Sequence, residues 1–304
     1  MRSLFPVLRS LRCNQWTISL VLGIGIIGLG ALSLTQVGPV EKEKTSQTQP
    51  SATGQDSSSI SDSRLVGHFG TGPTGDVAVD GEIAYINSGT NLEIVEVSDP
   101  TNPVHVGRAS VLGPVADIVV EGGRTYVVTN HVEIAGPPYE TEMYGLEVVD
   151  VSDPTAPKTT DVLKTSGKAQ EVAVTEDFAF VADGGDGLRV IDISDPNRLR
   201  EVSFFGSSSS AVAIEVSKGR AYLAGGPEGL WVLDAGLPSV HLETLGRYTP
   251  EGHVLDVTVT GDYALAAVRN RAAGDRTRDV RVVDVSNPRS PREVGGFEPL
   301  DVLF

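Results

Sequence analysis

Residues 145–157 read GLEVVDVSDPTAP and residues 187–196 read GLRVIDISDP, an apolar strand of five or six residues closed by an Asp-Pro corner. The same unit stands at Leu92 as LEIVEVSDPTNP, at Leu230 as LWVLDAGLP and at Val280 as VRVVDVSNPRSP. Its corner prolines, Pro100, Pro154, Pro196, Pro238 and Pro288, return at intervals of 42 to 54 residues. A basic period near 42 with two insertions accounts for every interval. Two more strands precede each unit. The first reads DVAV at Asp76, DIVV at Asp117, EVAV at Glu171, AIEV at Ala213 and DVTV at Asp256. The second reads IAYINS, RTYVVT, FAFVAD, RAYLAG and YALAAV, with Tyr85, Tyr126, Phe180, Tyr222 and Leu265 in register. Between them a tight turn is expected at Gly81, Gly123, Gly219 and Gly261. β-Branched and aromatic runs bounded by Gly and Asx residues are strand signals. After the proline a fourth, outer strand follows, as in PVHVG at Pro103 and PREVGG at Pro291.

Four strands in every 40–45 residues or so is the arithmetic of a propeller blade. A helical repeat of that length would place apolar residues three and four apart, and these segments do not. The expected fold is therefore all-β, a β-propeller of four-stranded blades over residues 64–304, with five complete repeats and a partial sixth. Residues 64–69, RLVGHF, resemble an outer strand without its three predecessors, and 300–304, LDVLF, a first strand without its successors. The expectation from these ends is a chain cut short, with six or more blades in its full form; a closed five-blade ring with frayed ends is the alternative.

The phrases GLEVVDVSDPTAP and GLRVIDISDP resemble the LVIVD repeat, a propeller-forming motif of exported bacterial and archaeal proteins. The resemblance recurs five times and covers residues 64–304. It is weakest in the fourth repeat, where Ala213 replaces the leading acid and Gly236-Leu237-Pro238 replaces Ser-Asp-Pro. It implies a fold and an exported location, and little chemistry, because fold does not dictate function.

The rest of the chain of 304 residues agrees with export. Arg2, Arg9 and Arg12 precede an uncharged stretch from Cys13 to Val40, and residues 16–36 are apolar enough for one membrane-spanning helix. Residues 1–15 then form a basic cytoplasmic segment, and the positive-inside rule places everything beyond residue 40 outside. A cleaved signal peptide is the competing reading, and it would release a secreted domain at the same side. Residues 41–63, rich in Ser, Thr and Gln with Ile60 as their one large aliphatic, read as a disordered stalk. Cys13 is the sole cysteine, so no intramolecular disulfide supports the domain. A formal charge of -16 repels phosphate backbones and anionic lipid, which excludes nucleic acid as a partner and leaves the N-terminal helix as the only membrane contact.

No H-E-x-x-H, G-x-S-x-G or G-x-x-x-x-G-K-[ST] pattern occurs. The histidines His68, His105, His131, His241 and His253 fall at unrelated repeat positions and read as surface or turn residues. Asp150 with Asp153, and Asp192 with Asp195, have carboxylate spacings that calcium could use, but residues repeated in nearly every blade read better as corner caps. Asp183-Gly184-Gly185-Asp186-Gly187 reads as a hairpin turn aligned with Ala224-Gly225-Gly226. Two candidate sites remain. The acids opening the first strands, Asp76, Asp117, Glu171, Asp256 and Asp301, could ring the channel mouth and hold a cation such as calcium, with solvated or turn-capping carboxylates as the alternative. No other cofactor is expected. The insertions between second and third strands, NHVEIAGPPYETEMY at 130–144 and RNRAAGDRTR at 269–278, could form a recognition face. Its candidate contacts are Tyr139, Met143 and Tyr144 on one loop and Arg269, Arg271, Arg276 and Arg278 on the other. The functional expectation is a membrane-tethered module, periplasmic or at the cell surface, that binds an envelope protein or a polysaccharide and acts as a scaffold rather than as an enzyme. A hydrolase or lactonase with a channel metal is the rival from another class, and a purely architectural surface repeat is a third reading.

Overall fold

A computed structural model describes residues 75–129, 144–206, 210–236, 242–269 and 278–297. The expected basic segment, membrane helix and stalk, with the two terminal half-blades, lie outside them. Among the described residues no helix is long and apolar enough to cross a membrane.

Five antiparallel four-stranded sheets follow one another along the chain, each in plain sequence order. Blade one holds β1 (Val77–Asp80), β2 (Ile83–Ser88), β3 (Asn91–Glu96) and β4 (Val104–Ser110). Blade two holds β5 (Val115–Glu121), β6 (Arg124–Thr129), β7 (Tyr144–Asp150) and β8 (Lys158–Thr165). Blade three holds β9 (Glu171–Val174), β10 (Phe178–Ala182), β11 (Leu188–Asp192) and β12 (Arg200–Phe205). Blade four holds β13 (Ala213–Ser217), β14 (Arg220–Ala224), β15 (Leu230–Asp234) and β16 (Glu243–Tyr248). Blade five holds β17 (His253–Thr260), β18 (Tyr263–Arg269), β19 (Arg278–Asp284) and β20 (Arg292–Phe297). The expected repeat is thus present five times over. The inner strands β1, β5, β9, β13 and β17 pack side by side in that order, as the first strands of propeller blades do.

Alternation along each strand decides which neighbour a side chain meets, because both faces of a blade are covered. In blade three, Phe180, Ala182, Leu188 and Val190 turn toward blade four and pack on Ile214, Leu223 and Leu233. Ala179, Val181, Ile191 and Ile193 turn back toward Tyr126, Leu146 and Val148 of blade two. Equivalent apolar cores join blade one to two and blade four to five. Five blades thus share four such cores among the described residues. Tyr263, Val294 and Phe297 of blade five stay exposed.

Two devices set the corners. The expected turn glycines Gly81, Gly123, Gly219 and Gly261 all take positive φ, where a Cβ would be strained. The Asp-Pro corners are capped by nearby carboxylates. Asp153 Oδ1 accepts from Thr155 N–H and Oγ1–H at 3.0 and 2.7 Å. Asp192 Oδ1 accepts from Ser194 N–H and Oγ1's counterpart, Oγ–H, at 3.1 and 2.6 Å. Even the divergent fourth repeat keeps the cap, with Gly236 N–H donating to Asp234 at 2.9 Å. The Ser194 bonds, followed by that of Arg200, hold Asp192 below the usual carboxylate range. Because the folded value is depressed, this stabilisation exists at neutral pH and is lost as pH falls through that lowered value. Asp192→Ala is expected to cost about 0.5–1 kcal/mol at pH 7, and less near pH 2. Urea unfolding at the two pH values measures it.

Candidate functional site

The inner strands enclose a cavity of about 370 Å3, walled by segments of β1, β5, β9 and β13. Asp80, Asp117, Glu121, Glu171 and Glu215 line it with a set of valines, and among the described residues no Lys, Arg or His does. Of the first-strand acids expected at a channel mouth, Asp117 and Glu171 line this cavity, and the five differ among themselves. Asp76 and Asp117 are each 1 % exposed. Asp76 Oδ2 accepts the N–H of Ile118 on the next inner strand at 2.7 Å, and Asp117 Oδ2 accepts that of Val172 at 2.7 Å. Each acid thus takes the amide that follows its counterpart in the next blade. An innermost strand has one unpaired edge, and these carboxylates satisfy donors on it. A register shift between Val115 and Asp117 departs from plain pairing at this position in β5. A shift also precedes Asp256, yet Asp256 is only half-buried and its Oδ1 accepts the N–H of its own neighbour Val257 at 2.7 Å. Glu171 is half-buried, and Asp301 lies outside the described residues. Among the described residues no three His, Cys, Asp or Glu side chains are grouped so as to hold a metal ion.

The second candidate region is the face where strands two and three are joined. In blade three that junction is a hairpin turn in which Gly187 N–H donates to Gly184 O at 3.2 Å, and blade four repeats it with Gly229 and Gly226. Both turns also bridge to the chain entering the following blade, Gly184 to Ala211 and Gly226 to Val254. The junctions of second and third strands and the entries to first strands therefore share one face. The two insertions leave from it, after Thr129 and after Arg269. Arg269 is exposed at the end of β18. Tyr139, Met143, Arg271 and Arg276 lie outside the described residues, as do the side chains of Tyr144 and Arg278.

Sequence reading missed a polar cluster under this face. Asp183 is fully buried, and its Oδ2 receives Arg189 Nε–H at 2.6 Å and Gly167 N–H at 3.0 Å. Its Oδ1 receives Thr165 Oγ1–H at 2.7 Å. Arg189 reaches on to Glu201 at 2.9 Å and to Ser166 at 2.5 Å. Thr165, Ser166 and Gly167 connect blades two and three, so this cluster fixes the entry to blade three. Burial raises Asp183, while the Arg189, Thr165 and Gly167 bonds oppose it. The same strand position after the repeat leucine is Glu147 in blade two, whose Oε2 accepts Leu112 N–H from the preceding connection at 3.0 Å. In blade one it is Glu93, paired with His105 at 2.7 Å and Arg108 at 2.8 Å. His105 is thus a hydrogen-bonding residue on the blade's surface side. In blade four it is Trp231, with Arg247 4.6 Å above its ring. These positions anchor connections and outer strands; they do not converge on one point.

Comparison with known proteins agrees with this architecture. A search of curated protein sequences finds no match. A crystal structure of a functionally unknown protein from Desulfotomaculum acetoxidans is similar at a TM-score of 0.60, with 13% identity over 74% of this chain and 70% of that one. The periplasmic gluconolactonase PpgL of Pseudomonas aeruginosa is similar at 0.58, with 13% identity over 72% and 68%. At that identity the likeness is one of fold. The sequence model of the LVIVD repeat matches residues 71–111, 142–165, 166–205 and 251–298, leaving out the first two strands of the second blade and all of the fourth, where the corner and the leading acid diverge. With five blades of this pattern and half the chain matched directly, the protein belongs to the LVIVD-repeat family.

Proposed function

We propose that the protein is a binding and scaffolding module, tethered by its N-terminal segment outside the cytoplasm, whose recognition surface is the face that carries the two long connections. One observation carries the reading: both insertions leave from the same face, between equivalent strands of blades two and five, while blades three and four close that junction with tight turns. Long connections on a scaffold of packed blades are where recognition residues are usually held. The insertion at 130–144 contributes acids, tyrosines and Met143, and that at 269–278 contributes four arginines, a pairing suited to a charged envelope protein or polysaccharide.

The test replaces residues 130–143 and 270–277 together by the Gly225–Gly229 turn. The variant is expected to keep its far-ultraviolet circular dichroism and to melt within about 4 °C of wild type, a shift of roughly 1 kcal/mol for a domain of this size. Binding to purified cell-envelope fractions should weaken at least about tenfold. Undiminished binding by a folded variant would remove the loop face from the proposal.

A channel-metal hydrolase or lactonase is the second reading, favoured by the five carboxylates around the inner cavity and by the lactonase activity named for one protein of similar fold. Asp76, beside the cavity-lining Asp117, is buried and bonded to the neighbouring strand, a position suited to holding blades together rather than to meeting a substrate.

A further inference from the structure

The carboxyl that ties blade one to blade two has more acceptor capacity than the donors around it can satisfy. Asp76 Oδ2 is occupied by Ile118 N–H at 2.7 Å. Oδ1 of the same group is equally buried and meets no donor. What lies against the Asp76 carboxyl is the carboxyl of Asp117, whose Oδ2 is held by Val172 N–H at 2.7 Å. Two ionised carboxylates in an enclosed seam repel each other, and a buried acceptor without a donor is unfavourable. One proton removes both problems. Placed on Asp76 Oδ1, it halves the charge of the pair and turns the orphaned acceptor into a donor toward Asp117.

We infer that Asp76 and Asp117 share a single proton across the seam between the first two blades, and that this proton makes the seam a pH-sensitive element of the propeller. The surroundings favour a proton there. From β5 the facing charged group is Asp117. From β2 it is Asn87, uncharged, whose Oδ1 accepts the N–H of Asp76 at 2.7 Å. Among the described residues, the adjoining cavity wall carries Asp80, Glu121, Glu171 and Glu215. With two carboxyls buried side by side, a proton on one of them removes their mutual repulsion. Burial first, and the charge of Asp117 second, push Asp76 up to about 8, against the pull of the Ile118 and Val77 amides.

The direction of the pH effect follows. An acid whose folded value exceeds its unfolded value keeps its proton in the native state while the unfolded chain releases it. Stability therefore falls as pH rises from the ordinary value of 3.8 toward about 8, and levels off above. Deprotonation leaves two negative charges side by side, so the first inter-blade seam is the one that loosens in alkali.

The experiment compares melting temperature against pH from 5 to 9 for the full chain and its Asp76→Asn variant. The carboxamide keeps an acceptor for Ile118 and supplies a permanent N–H2 donor toward Asp117. Wild type should lose melting temperature across pH 5–8, and the variant should have a shallower slope and melt higher than wild type at pH 8. Parallel curves would overturn the inference. A purely structural role for Asp76 would lower the variant's curve without changing its slope, which is equally decisive. A 13C titration of the Asp76 carboxyl in wild type gives an independent reading. A midpoint above pH 6 that drops by at least about one unit in Asp117→Asn supports the shared proton, and a midpoint below 5 overturns it.

Discussion

Phe180→Ala is expected to destabilise the propeller by about 3–5 kcal/mol. The ring has no exposed surface and sits between blade three and blade four, against the Ile214, Leu223 and Leu233 side of the neighbour. It is the largest of the fully buried side chains among the described residues. Truncation removes its transfer free energy and leaves a cavity that two sheets, each hydrogen-bonded to its own partners, cannot collapse to fill. The register equivalents Tyr85, Tyr126 and Tyr222 occupy the same place at the other three seams, so the repeat accommodates a hydroxyl at this position. Phe180→Tyr should therefore cost much less than Phe180→Ala. Guanidinium unfolding of the three proteins measures both differences, and equal losses for Tyr and Ala would contradict the assignment of this residue to a conserved inter-blade layer of the repeat.

That the layer could be anticipated at all follows from repetition. Tyr85, Tyr126, Phe180 and Tyr222 stand in register in the sequence, and a repeating strand with a repeating aromatic has to meet the same surroundings in each blade. The turns were legible for a local reason. Gly81, Gly123, Gly219 and Gly261 adopt positive φ, and Asp153 and Asp192 bond amides two residues away, so a short stretch of sequence contains the whole cause. The first-strand acids were legible only as a set. On paper Asp76, Asp117, Glu171 and Asp256 are equivalent. Their fates diverge because burial depends on how each inner strand abuts the next: Asp117 reaches Val172, 55 residues away, while Asp256 Oδ1 turns to its own neighbour Val257. No local pattern carries that information. Asp183 was missed although a signal existed. Arg189 interrupts the apolar run LRVID in a blade covered on both faces, and an arginine so placed calls for a carboxylate. The neighbouring glycines drew attention to the turn and away from the acid that begins it.

Removing that acid should be nearly as damaging as removing the phenylalanine. Asp183→Ala is expected to cost about 3–5 kcal/mol, because it breaks a buried ion pair from one side only. Arg189 is 14 % exposed, and without Asp183 its Nε loses the 2.6 Å partner. Gly167 N–H and Thr165 Oγ1–H lose their acceptor as well. Glu201 at 2.9 Å and Asp186 at 3.4 Å still neutralise part of the guanidinium, but both are more exposed and more screened than Asp183. The distinguishing variant is the double replacement Asp183→Ala with Arg189→Met, which removes the stranded charge together with its partner. If the penalty of the single change is mainly an uncompensated buried cation, the double variant should recover about half of the loss, even though it has fewer hydrogen bonds than either parent. If the penalty is mainly the loosened entry to blade three, where Gly167 and Thr165 are no longer held, the double variant will be no more stable than Asp183→Ala. In that case hydrogen exchange will be fastest at residues 165–167 in both proteins. The cycle thus separates a charge effect from a connection effect at a buried ion pair of blade three that also holds the connection from blade two.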